Sequence, residues 1–185
     1  DDAANYNEVT GTVQLNVSKD TVAGISIGDT APSKTAYIYE DTFDPTGLTV
    51  TATYASGSTA DVTDKVAFGA LSAGDISMEL SYTEDNVTVT CTVTGITVTK
   101  KQLDVSGMSW SEGTYTYNGK AQGPVLTGIL PAGVMAETSG NSAIDAGTYT
   151  AEAEFKLADG YSDANYEIIG TNPLTAAWNI AKADA

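Results

Sequence analysis

Among its 185 residues the chain has no histidine, no arginine and one cysteine, Cys91. Each absence removes a kind of chemistry. Without histidine there is no imidazole to act as a base near neutral pH. A lone thiol then has no partner to hold it as a thiolate, and it cannot close an internal disulfide. Cys91 lies in the alternating run VTVTCTVTG, where a cysteine behaves as a small buried hydrophobe. Cations are scarce: the eight basic residues are all lysines, against 24 acidic ones, for a net charge of −16. Such a chain repels nucleic acid and anionic membranes, so neither is expected as a partner. The acidity itself reads as a device for solubility. No transmembrane run, signal peptide or sorting motif is found, and the sequence reads as a mature piece or excised fragment of a longer protein.

Helical periodicity is also nearly missing. What recurs is alternation of apolar and polar residues, the signature of strands buried on one face. It runs through Val13-Leu15-Val17, Leu48 to Tyr54, Met78-Leu80-Tyr82, Val87 to Val93, Tyr149 to Phe155 and Trp178-Ile180. The Thr-rich sides of these segments are expected to face solvent. Turn clusters (ASGST, TEDN, YNGK, ADGYSDAN) separate them, and Asn118-Gly119 is the two-residue hairpin signal. Many short strands about ten residues apart predict an all-β fold of two tandem antiparallel β-sandwich domains. The expected division is 20–100 and 101–185, with the boundary near Lys100-Lys101 and a short linker from Lys100 to Leu103.

The two ends of the chain are alike. ANYNEVTGTVQLNVSKD (4–20) parallels ANYEIIGTNPLTAAWNIAKAD (164–184): the same Ala-Asn-Tyr opening, a Gly-Thr, then an apolar strand ending near Lys and Asp. Residues 1–19 are therefore expected to be the terminal strands of a preceding module, or an N-terminal extension, in a tandem array.

The segment ISIGDTAPSKTAYIYEDTFDPTGLTVTATYASGSTADVTDKV, followed by LSYTEDNVTVTCTVTGITV, resembles the bacterial immunoglobulin-like group 3 domains over about 21–100. The family usually carries Asp-Gly where this chain has Ser56-Gly57, which is still good turn chemistry. The segments YTYNGKAQGPVLTG, SAIDAGTYTAEAEF and NYEIIG…AWNIAKA resemble the MBG-type repeats of Gram-positive surface proteins over about 102–184. Within them Asp145 to Tyr149 reads as an immunoglobulin-like corner in which a tyrosine bonds backbone at the bend, with Ala151 at the position of the second cysteine. The resemblances imply an extracellular location, secreted or wall-attached, and a non-catalytic spacer role displaying a distal functional domain. The alternative they imply is an adhesin module that binds a glycan, mucin or host protein directly.

No catalytic, cofactor-binding or metal-binding residue is assigned. Glu40, Asp41 and Asp44, or Glu84, Asp85 and Asn86, are the oxygen donors that calcium would take, but neither set has an EF-hand spacing and turn capping explains them equally well. Paired carboxylates for glycoside hydrolysis would need a deep cleft that small sandwiches seldom build. Tyr115, Tyr117, Trp110 and Trp178 are read as core aromatics. Tyr161, in ADGYSDANY, is the candidate for ligand contact, or else it pins its loop. The expected partners are adjacent modules of the same polypeptide, with an extracellular glycan or host protein under the alternative.

Overall fold

A computed structural model of the protein describes residues 11–29 and 31–184. The described residues are all-β apart from a single 3-10 turn at Thr63–Lys65. Eight strands precede Lys100: β1 (Val22–Ile27), β2 (Ala36–Ile38), β3 (Val50–Tyr54), β4 (Thr59–Asp61), β5 (Ala67–Phe68), β6 (Ser77–Glu84), β7 (Val87–Thr94) and β8 (Thr97–Thr99). Eight follow it: β9 (Lys101–Asp104), β10 (Ser109–Trp110), β11 (Tyr115–Thr116), β12 (Leu126–Thr127), β13 (Val134–Ser139), β14 (Gly147–Leu157), β15 (Tyr166–Ile169) and β16 (Leu174–Ala181).

Alternation sets which side chains pack. In β3 and β6, Val50, Ala52, Met78, Leu80 and Tyr82 point inward, and the threonines of β3 and β7 lie mostly outward. With Tyr37, Phe43, Leu48, Val62, Val93, Ile96 and Val98 they make one core; Cys91 packs half-buried at its margin, and burial pushes its thiol pKa up. The sheets β1-β3-β4 and β5-β6-β7 close over this core. A second core gathers Leu103, Val105, Met108, Val134, Ala153, Phe155 and Tyr166. Beside it Trp178, Ile180 and Ala151 form a smaller cluster, which Trp110 joins to the second core. Here the main sheet runs β11-β16-β14-β13. Pairing is antiparallel along the long strands. It is parallel only in the short pairs β2 with β8, β15 with β9, and β11 with β16.

Three local expectations change. The tight two-residue hairpin is at Asp85-Asn86, where both residues take positive φ (48° and 64°) and Glu84 pairs with Val87. Asn118-Gly119 instead makes an Asx turn, with Lys120 N donating to Asn118 Oδ1 at 2.9 Å, because β11 pairs with distant β16 rather than across the turn. The alternating residues Val13, Leu15 and Val17 belong to no strand; their side chains are 89%, 82% and 82% exposed. The other half of the expected terminal strands, residues 1–10, lies outside the described residues.

Candidate functional site

The chain passes from the first core to the second through one ribbon, Thr97 to Val105, rather than through a free linker. Lys101 to Leu103, expected as linker, are in β9, and Lys100 alone separates β9 from β8. Backbone groups of alternate residues in an extended chain point to the same edge. On the odd-numbered edge Thr97 N donates to Thr35 O, Tyr39 N donates to Thr99 O, Lys101 N donates to Asn165 O and Val105 N donates to Ile169 O, at 2.8–2.9 Å. β2 and β15 therefore lie one after the other along a single edge. The handover needs β2 to leave, and Glu40 supplies the turn: its φ is +76°, and Asp41 N donates back to Ile38 O at 2.9 Å.

Side chains alternate across the ribbon in the same way. Ile96 and Val98 are buried in the first core, Leu103 and Val105 in the second. The inward parity changes from even to odd, so the two cores lie on opposite faces of one ribbon.

Four contacts lock the handover. The Glu40 carboxylate takes the Lys101 ammonium on Oε2 and the Tyr166 hydroxyl on Oε1. Tyr39, from the β2 end, packs edge-on against Tyr166 at 5.1 Å between ring centroids and joins the second core. Asn165 Oδ1 accepts from Ala73 N at 3.0 Å. Lys101, then Tyr166, hold the Glu40 carboxyl below its ordinary range, and Glu40 in turn raises the pKa of both partners.

Tyr161 lies at this joint. Its ring packs at a tilt against Tyr166, 4.6 Å between centroids, and covers Gly133, whose φ is +89°; a Cβ there would meet the Tyr161 ring at 2.2 Å. The ring is half-buried and fastened into the fold rather than freely exposed. An open cleft of about 970 Å³ runs along the ribbon beside Ile38, Tyr39, Lys100, Gln102 and Glu167.

The acidic sets go to separate partners. Asp41 pairs with Lys34 at 2.8 Å and accepts from Ile38 N, Asp44 caps Thr46 N at 3.0 Å, and Glu40 serves the joint. Asp85 pairs with Lys19, while the neighbouring Glu84 carboxylate raises the Tyr54 hydroxyl pKa. Among the described residues no group of three or more His, Cys, Asp or Glu is placed to hold a metal ion, and no helix is long and apolar enough to cross a membrane.

Of the four aromatics expected in the core, Trp110, Tyr115 and Trp178 pack there and Tyr117 does not. Trp178 meets Tyr115 edge-on at 5.4 Å and Tyr149 at 4.9 Å, and its Nε1 donates to Gly140 O. Trp110 Nε1 donates to Leu174 O, while Tyr117 is 44% exposed. The Tyr149 hydroxyl donates to Asp145 O at 2.8 Å, the corner bond, and Ala151 is fully buried beyond it.

Sandwiched sheets, a tyrosine corner and a shared ribbon define immunoglobulin-like modules in series. Residues 30–95 match the family described as bacterial Ig-like domain (group 3). The match spans β2 to β7, and the structure adds β1 and β8 to the same core. Domains of this family are typical of bacterial surface proteins and are generally non-catalytic. No curated protein matches the chain.

Proposed function

We propose that the chain is a non-catalytic spacer: two modules of a bacterial cell-surface or secreted multi-domain protein, displaying a functional domain located elsewhere in that protein. On this reading residues 101–185 are an MBG-type repeat, which the Tyr149 corner and the quoted motifs support. The partners are neighbouring modules of the same polypeptide, and the location is outside the cell, secreted or attached to a Gram-positive-type wall. The observation that carries the reading is the joint. A spacer transmits reach only if its modules do not swivel, and here β2 and then β15 pair along one edge of the ribbon that runs from core to core, while Glu40, Tyr39 and Asn165 bridge the gap between them.

A binding screen of the folded chain against mucins, host glycans and wall polysaccharides, with and without calcium, tests it. Silence across the panel is expected. Saturable binding lost on Tyr161→Ala, with the fold intact by circular dichroism, would replace the spacer with an adhesin module.

A further inference from the structure

We propose that Gly11–Ser18 is the closing strand of a further module of the second kind, and that Val13, Leu15 and Val17 are covered by a sheet equivalent to the one β16 enters. This rests on the tandem reading above. The segment aligns with β16 and the residue after it without a gap: GTVQLNVSK (11–19) against LTAAWNIAK (174–182). Thr12, Asn16 and Lys19 are identical to Thr175, Asn179 and Lys182, and the alternate positions Val13, Leu15 and Val17 fall on Ala176, Trp178 and Ile180.

In β16 these side chains face the core from between β11 and β14, leaving Trp178 8% and Ile180 2% exposed. Their counterparts are almost fully exposed. An alternating strand with a bare apolar face is incomplete until a sheet covers it. The occupant is specified by this chain itself: strands with the sequence and chemistry of residues 101–163, which build the site for β16.

The downstream end of the segment is already docked. Lys19 pairs with Asp85 on the β6–β7 hairpin. Asp20 takes the Ser56 hydroxyl, Ser56 N at 3.0 Å and the Ser58 hydroxyl at 3.1 Å on the β3–β4 hairpin. Lys19-Asp20 is thus fixed at one end of the first module, just ahead of β1.

The test appends a copy of residues 101–163 directly before Asp1 of the full chain and follows amide exchange at Thr12–Ser18. The expected result is slowing by about a hundredfold or more relative to the parent chain, together with one additional cooperative unfolding transition. Leu15→Lys with Val17→Lys in the extended chain should abolish both. A second arm replaces residues 174–181 of the parent by residues 11–18, and the second module is expected to keep its cooperative transition. Exchange as fast as in the parent, with loss of that transition in the chimera, would overturn the proposal. Glycan binding by the chain would refute the spacer role while leaving this protection unchanged, so the two failures are separable.

Discussion

The carboxylate of Glu40 accepts the hydroxyl proton of Tyr166, 126 positions further along the chain, while the same group holds Lys101. Glu40 lies past the end of β2 and Tyr166 at the start of β15, so this contact closes the gap where one strand leaves the ribbon edge and the next takes it up. Replacing Glu40 by alanine removes the acceptor from both partners without removing any side chain from either core. Heteronuclear relaxation should show separate tumbling of the two modules in Glu40→Ala, with the transition midpoint of each module nearly unchanged.

The same group gives the joint a pH dependence whose sign is fixed. The folded pKa of Glu40 is depressed, chiefly by Lys101 and then by Tyr166. A depressed carboxyl contributes its stabilisation above its unfolded pKa and loses it as pH falls through the lower folded value. The joint is expected to hold through neutral pH and to loosen below the ordinary glutamate range of about 4.3. In Glu40→Gln the loosening should be present at neutral pH and show no such step.

Leu80 is fully buried in the first core. Leu80→Ala should cost about 3 kcal/mol by lost transfer and cavity terms. Because the second core shares no side chain with Leu80, calorimetry should show the first module melting earlier while the second keeps its midpoint.

Tyr149→Phe removes only the corner bond to Asp145 O and keeps the ring on Trp178. A loss of about 1 kcal/mol in the second module is expected from denaturant unfolding.

Gly133→Ala combines a positive φ with a collision against the Tyr161 ring. The cost expected is about 1–3 kcal/mol from the backbone alone. Near-ultraviolet circular dichroism should also change as Tyr161 is displaced from Tyr166.

The sandwich strands could be read from the sequence because their pattern is local: Leu80 and Val50 stand at even steps between outward polar residues. The corner at Asp145–Tyr149 was readable for the same reason. The joint was not. Its ladder pairs Lys101 with Tyr166 and Ile38 with Thr99, contacts that no local pattern encodes. One trace was present: the inward positions change from Ile96 and Val98 to Leu103 and Val105, a parity slip across Lys100-Lys101 that a strand read as two pieces hides. Glu40 gave no signal, since its left-handed conformation and its partners depend on where β2 must leave the ribbon. Asn118-Gly119 misled because turn chemistry does not say which strand lies across the turn. Tyr161 stood in a polar loop, and only the fold places Gly133 and Tyr166 beneath its ring.

The shared ribbon and the Glu40 contacts are expected to make the two modules one rigid body. Residual dipolar couplings, measured at neutral pH for amides of both modules in one alignment medium, test it most directly. A single alignment tensor should fit both sets, and Glu40→Ala should need two tensors of different magnitude. Different tensors in the unsubstituted chain would contradict it.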